Sequence, residues 1–419
     1  MSPRICVSLV LIGCLTAQTF GPVSVWAEPS APSTYSLNDI LALAEERNPT
    51  MAGAQGLIKQ SRGQQIAAGA YLNPSVSGTA GRGAIRDPST GTRITEHTVS
   101  IEQPLEWSGK RQARQDAANA GLAGAGAALE ETRLSLLADV KVAFYSLLLA
   151  QRDAELAAQN VATVEELLRT VKARVAAGEA TSFDSMKAGV EVQKAQKEAA
   201  RTQSALVVAK ARLNTLAAGS LGPQFSVRGD FQSPKPGLDT ERLTARALDQ
   251  HPVLKRLDKL AEQAEHTVRF ERESRMPNVT VQGSYHREAG DESLTAGLSV
   301  PLPLWYRRQG EIETALGTQH RAEAERARAR NELEQAITQH VQEVRTAQDQ
   351  LQVFETGLLK QAEQTLTVAR TSFRQGAASL LDVLDAQRVY RQTLLEYAQA
   401  RADLSIALAR LERYLGAPL

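Results

Sequence analysis

Asp382 and Asp385 lie three residues apart, just behind the turn-forming Gly376, in Gly376-Ala-Ala-Ser-Leu-Leu-Asp382-Val-Leu-Asp385. On a helix that spacing puts both carboxylates on one face. Asp184, in Gly178-Glu-Ala-Thr181-Ser-Phe-Asp184, holds the matching place two hundred residues earlier. Acids near a helix start are ordinarily stabilised by the helix dipole. Repeated by threefold symmetry around a narrow opening, the same acids would form rings that attract cations and raise their local concentration.

Other reactive chemistry is sparse. The six histidines are His97, His251, His266, His286, His320 and His340. None pairs with another at the three- or four-residue spacing of a helical metal site. No stored metal and no cofactor are expected. Gly-x-Ser-x-Gly, P-loop and dinucleotide fingerprints are missing from the sequence, so it does not read as an enzyme. Gly121, Gly124 and Gly126 fall inside a helical pattern, where they would allow close packing or a bend. Both cysteines, Cys6 and Cys14, precede residue 15, so the rest of the chain can hold no disulfide or thiol nucleophile.

The elements that must position these acids are long. With 419 residues, 48 Lys+Arg and 47 Asp+Glu, the chain has no charge excess with which to grip nucleic acid. Arg4, the apolar run Ile5–Leu15 and Val25-Trp26-Ala27 read as a secretory signal peptide over 1–27, cleaved after Ala27. Leu11-Ile12-Gly13-Cys14 offers the competing reading of a lipidated Cys14. No later segment reads as a membrane-spanning helix.

Proline sets the organisation. None occurs between Pro104 and Pro223 or between Pro303 and Pro418. Proline ends helices, so each gap can hold very long ones. The halves also align. Asn48-Pro49 matches His251-Pro252, Asn73-Pro74 matches Met276-Pro277, and Ala211-Arg212-Leu213 matches Ala409-Arg410-Leu411. The chain therefore divides into repeats over 28–222 and 223–419. Each reads as short helix, helix, two strands, long helix, turn and return helix. Copy one is expected to run Ser36–Arg47, Thr50–Tyr71, strands before Leu105, Ser108 to about Ala177, and Ser182–Leu216. A helix of about 70 residues is on the order of 105 Å long. Copy two repeats this with one helix over Arg308–Gln375 and another over Leu380–Tyr414. Leu333, Ile337, Val341, Val344, Gln348 and Leu351 form a heptad-like seam. The return helix and the pre-strand helix together match the long helix in length and are expected to line it.

The strands carry a different pattern. Leu294, Ala296, Leu298, Val300 and Leu302 alternate with small or polar residues, as do Val279, Val281 and Tyr285, and Val99 and Ile101. One apolar face on segments of about ten residues is the signature of a transmembrane β-barrel. It also fits a half-buried sheet. Four strands cannot close a barrel, and lipid does not tolerate open edges, so subunits would have to pool their strands. Helices alone would fit a secreted structural coiled coil.

Taken in this order, the duplication, the paired strands before each long helix and the glycine turns resemble the TolC family of trimeric outer-membrane channel proteins. Val300-Pro-Leu-Pro-Leu-Trp-Tyr-Arg-Arg308-Gln-Gly310-Glu-Ile312 resembles the strand-to-helix segment of its heavy-metal, CzcC-like branch. The resemblance implies a mainly α fold with a small β part. Three chains would form a twelve-stranded outer-membrane barrel continued by a periplasmic helical tube. It implies an exit duct working with a periplasmic adaptor and an inner-membrane RND pump, and in this branch a cargo of divalent cations. Drugs or secreted polypeptide are the alternative cargo. Asp184, Asp382 and Asp385 then mark the periplasmic entrance. Arg174, Gly178 and Thr181, with Arg374, Gly376 and Ser379, mark the tips that meet an adaptor. The family's closed tip can be latched by a Tyr and an Arg flanking the second turn. Here Phe373 and Ala378 stand there, which leaves Arg374 as a candidate substitute.

Overall fold

The computed structural model describes residues 33–418, apart from 87, 88, 90, 92, 235, 236 and 289. The signal peptide and Cys14 lie outside the described residues. The first half comprises β1 (Ser33–Tyr35), α1 (Leu37–Arg47), α2 (Pro49–Gly69), β2 (Ser75–Arg86), β3 (Arg93–Leu105), α3 (Ser108–Ala176) and α4 (Ser182–Leu216). The second comprises β4 (Phe225–Val227), α5 (Thr240–Gln250), α6 (Pro252–Glu273), β5 (Val279–Glu288), β6 (Asp291–Ser299), α7 (Gln309–Val353), α8 (Leu359–Arg374) and α9 (Leu380–Leu415). The fold is mainly helical with a small β part, as expected.

The internal repeat extends to single hydrogen bonds. Asn48 and His251 cap α2 and α6 with nearly the same backbone angles, φ −68° and −66°, each followed by Pro at the first helical position. The Asn48 side chain accepts from Thr50 N and donates to the Leu216 carbonyl at 2.8 Å. His251 Nδ1 accepts from Val253 N at 3.3 Å, and its Nε2 donates to the Arg413 carbonyl at 3.1 Å. Each pre-strand helix is thereby tied to the last turn of its own return helix.

Some expectations change. The single helix over Arg308–Gln375 is broken by a π-helical turn, Phe354–Leu358, between α7 and α8. Gly357, at φ 164° and ψ −25°, leaves the helical region there. Glycine is a poor helix former, and π turns mark bends. In the seam, Ala347 rather than Gln348 is buried, alongside Leu333, Ile337, Val341, Val344 and Leu351. The parallel pair β1–β4 was not expected.

α3 is lined by α2 and α4, as anticipated, and also by α6 and α9 of the second half. The glycines of α3 explain part of this. A Cβ on Gly121 would come within 3.1 Å of Gln263 Nε2, and one on Gly124 within 3.5 Å of Lys259 Cβ. One 18-residue window of α3, with mean hydropathy 1.4, is long and apolar enough to span a membrane by composition, contrary to the sequence reading. Leu136, Val140, Phe144 and Leu147 of this helix are instead buried with Ile40, Leu213 and Phe225.

The strands form one antiparallel sheet in the order β2-β3-β5-β6. Its register gives two unlike faces. Val76, Ile101, Gly283 and Ala296 align on one, with Gly78, Val99, Tyr285 and Leu294 in the next row. Val76, Val99, Ile101, Leu294 and Leu298 are all exposed. The other face aligns Ser77, Ser100, Ser284 and Thr295. Within the described residues β2 and β6 are the outer strands, each paired on one side only.

Candidate functional site

The residues singled out in the sequence lie in two places: the paired helix turns at one end, and the sheet at the other.

At the tips, α3 and α8 end in the same way. Gly178 (φ 75°) and Gly376 (φ 77°) take the left-handed conformation that glycine adopts without a Cβ clash. Glu179 N donates to the Arg174 carbonyl and Ala377 N to the Ser372 carbonyl, both at 2.8 Å. The return helices then start with matching capping boxes. The Thr181 hydroxyl donates to Asp184 Oδ2 at 2.7 Å, and Asp184 N donates back to Thr181 Oγ1. Ser379 and Asp382 repeat this, again at 2.7 Å. These bonds satisfy amide groups that the helix leaves free.

The caps also set the charge. The Thr181 hydroxyl, then its backbone N–H, holds the Asp184 carboxyl below its ordinary range. Ser379 does the same for Asp382. Both acids therefore stay ionised in mild acid. Asp382 and Asp385 are exposed on one helix face, and Asp385 is ion-paired with Arg388 one turn on. All three acids expected at the entrance thus have local partners, and Asp382 carries charge without a cation beside it.

Of the residues expected at the tip surface, Gly178, Thr181, Arg374, Gly376 and Ser379 are exposed. Arg174 is half-buried and already engaged. Its guanidinium donates to the Phe373 carbonyl at 3.1 Å, lies 4.8 Å from the Phe373 ring centroid and is 3.4 Å from Glu179 Oε2. The two tips are therefore joined across the repeat by Arg174, while Arg374, the candidate substitute for the latch, is exposed. No local spacing signals this contact, because 199 residues separate the partners.

Between α4 and α9 runs a groove of about 850 Å³, lined by Asp153, Lys187, Lys194, Arg201, Arg388 and Arg391 among others. Burial pushes the Asp153 carboxyl up, against the pull of Arg201.

On the polar face of the sheet, Ser284 and Thr295 hydroxyls pair at 2.7 Å, and Thr98 Oγ1 lies 2.9 Å from His286 Nδ1. Glu96 and Glu288 flank His286 at 3.9 and 3.4 Å. Among the described residues, no three His, Cys, Asp or Glu side chains are grouped to hold a metal ion.

Known proteins agree with this geometry. The cobalt-zinc-cadmium resistance protein CzcC of Cupriavidus metallidurans is 27% identical over 92% of this chain and 91% of its own length. The nickel-cobalt-cadmium resistance protein NccC of Alcaligenes xylosoxydans is 25% identical over 70% of this chain and 65% of its own. The crystal structure of the outer membrane protein VceC of Vibrio cholerae superposes with a TM-score of 0.77 at 18% identity, covering 91% of this chain and 96% of VceC. A sequence model of the family described as outer membrane efflux protein matches residues 40–219 and 243–417. The chain therefore belongs to the outer membrane efflux protein family and is a channel-forming protein of the outer membrane, not an enzyme.

Proposed function

We propose that three copies of this chain form the exit duct of a tripartite pump that expels divalent heavy-metal cations, such as cobalt, zinc, cadmium, nickel or copper. The observation that carries the duct is the two-faced sheet. Its apolar face suits lipid and its hydroxyl-rich face suits a wet lumen, while β2 and β6 need partner strands. Three sheets would make a barrel of about twelve strands. The repeats 28–222 and 223–419 would each supply two strands and one coiled hairpin of the tube.

Asp382 is the leading entrance residue in this reading, with Asp385 and Asp184 beside it. The exposed tip residues Gly178, Thr181, Arg374, Gly376 and Ser379, with the groove between α4 and α9, would receive a periplasmic adaptor that connects to an inner-membrane RND transporter. Arg174 would serve this surface from behind, by holding the tips together. The metal cargo is supported by the names of CzcC and NccC and by the acids at the tip. A drug or polypeptide cargo through the same duct is the second reading. The exposed apolar sheet face argues against a purely structural coiled coil.

Deleting the gene in its host and scoring growth separates the cargoes. Sensitivity to divalent metals with unchanged drug tolerance is the expected result, reversed by the wild-type gene. Drug sensitivity with unchanged metal tolerance would replace the metal reading with the second one.

A further inference from the structure

The hydroxyl-rich face of the sheet ends in a group of donors that a plain duct does not need. His286 and Glu288 lie two residues apart on β5, so both stand on one face. Register puts Thr98 beside His286, and Glu96 and Asp291 on either side of Glu288. The hairpins β2–β3 and β5–β6 turn at this end, and helices join the strands at the other. In the duct the group therefore stands in the lumen at the outer mouth.

Charge is sorted by face here. Glu96, Glu288 and Asp291 are exposed on the hydroxyl-rich face. Arg82 and Arg287 belong to the opposite face by register, where Arg287 lies 3.7 Å from Glu292. Carboxylates directly opposite one another on a sheet repel, and a cation among them relieves that repulsion.

The histidine gives the group a direction. Its Nδ1 lies 2.9 Å from Thr98 Oγ1 and 3.9 Å from Glu96 Oε1. These two oxygens favour a proton on Nδ1, which leaves the Nε2 lone pair facing Glu288 Oε2 at 3.4 Å. Two acceptors so placed repel unless a cation lies between them. With Zn–N of about 2.0 Å and Zn–O of about 2.0–2.2 Å, a tetrahedral angle sets the donors about 3.4 Å apart. Imidazole with carboxylate suits zinc, copper or nickel, whereas magnesium and calcium take oxygen ligands. Among the described residues no third His, Cys, Asp or Glu closes the site, so water completes the shell and the grip is weak. A site on an exit path must let its ion leave.

We propose that His286 Nε2 and Glu288 form a weak exit station for a divalent transition-metal cation, one per chain, with Glu96 and Asp291 drawing cations towards it. Its part in transport rests on the metal cargo of the duct, while its two donors rest on β5 alone.

The test is protection of His286 from diethyl pyrocarbonate at about pH 7, where imidazole is mostly neutral, read by mass spectrometry of the peptides. The reagent attacks a ring lone pair, and a metal on Nε2 blocks it. In the full chain in detergent, Zn2+ should slow modification of His286 about tenfold or more, and Mg2+ should not. His97, on the opposite face, should react equally with and without Zn2+. Glu288→Gln should remove most of the protection. No slowing of His286, or equal slowing of His97, would overturn the site. Full protection in Glu288→Gln would overturn the pair. Both donors belong to one chain, so this readout holds for monomers and trimers and for any cargo. In a planar bilayer, Zn2+ added at the outer mouth should lower the wild-type conductance at a concentration about tenfold below that needed for Glu288→Gln. Equal sensitivity would take the site out of the ion path. The metal cargo itself fails separately, through unchanged metal tolerance after gene deletion.

Discussion

Arg174 of the first repeat stacks on Phe373 of the second and donates to its backbone carbonyl, so one side chain ties together the two turns at the end of the molecule. Phe373 also belongs to the tip core with Val171, Ala188, Leu380 and Val383. Phe373, whose ring lacks a hydroxyl for a side-chain latch, thus supplies a stacking face and its backbone carbonyl instead. Replacing Arg174 by Ala removes both contacts, each worth about 1 kcal/mol. Resting conductance in a planar bilayer should rise on the order of tenfold. Arg174→Lys should be intermediate, since an ammonium keeps charge but not the planar stack. Unchanged conductance in both variants would show that the tips are held elsewhere.

Asp184→Ala is the contrasting change. Asp184 caps α4 through Thr181 and reaches no residue of the second repeat among its hydrogen bonds. Its loss should fray the first turn of α4, visible as faster amide exchange there, while resting conductance stays near wild type. A conductance rise matching that of Arg174→Ala would make Asp184 part of the gate.

His251 predicts a pH effect. Burial lowers its pKa, and both ring nitrogens are used in the neutral form, Nε2 as donor and Nδ1 as acceptor. The folded state therefore resists a proton that the unfolded chain takes up below about pH 6.5. Stability should fall as pH drops below that value and level off only once the folded pKa is passed. His251→Asn can make the two bonds that Asn48 makes and cannot titrate, so it should flatten this loss. His251→Ala should cost about 1–3 kcal/mol at neutral pH, by leaving the Val253 amide and Arg413 carbonyl without partners. Thermal melts across pH decide it; an equal acid slope in wild type and His251→Asn would remove His251 from the account.

Much of this was legible in the chain because it is local. Gly178 and Thr181 punctuate the polypeptide, and α4 runs over the expected residues. The strand alternation gave both faces of the sheet. The capping role of Asp184 and Asp382 followed from their place after a turn. What was hidden depends on partners far apart in sequence. Nothing near Arg174 points to Phe373, and nothing near Asn48 or His251 points to the return-helix carbonyls they bind. Gly357 breaks its helix while Gly121, Gly124 and Gly126 do not, and composition cannot separate them. The three glycines of α3 lie in a helix that packs on five others, α1, α2, α4, α6 and α9, whereas no residue of the turn Phe354–Leu358 is buried.

The two faces of the sheet should respond oppositely to charge. Leu298→Arg puts a cation on the apolar face, where it costs about 2–4 kcal/mol near the bilayer centre. It should greatly reduce heat-modifiable trimers in outer-membrane fractions. Thr295→Arg, on the hydroxyl-rich face, should assemble normally and lower the conductance for cations. Equal assembly of both variants would mean that the exposed leucines do not meet lipid.

Selectivity at the entrance is the last expectation, and two opposing effects decide it. In each chain the Ser379 cap lowers the pKa of Asp382. Three such carboxylates around one axis would repel one another and raise it. Their separation spans a wet opening, where repulsion is screened, while each cap bond is direct and at 2.7 Å. The cap should win, and cation preference should persist down to about pH 4, the ordinary carboxylate range. Ser379→Ala removes the cap hydroxyl and should shift the loss of preference to higher pH. Arg388 already offsets Asp385, so Asp382→Asn should reduce cation preference more than Asp385→Asn does. Arg388→Gln should increase it by freeing Asp385. Large trivalent cations should block the wild type and not the double Asn variant. The readout is the reversal potential in a salt gradient, measured from neutral pH to pH 4. A preference already lost between about pH 5 and 7 would show that crowding outweighs the caps. No change in the double variant would leave both aspartates as helix-start residues without a part in transport.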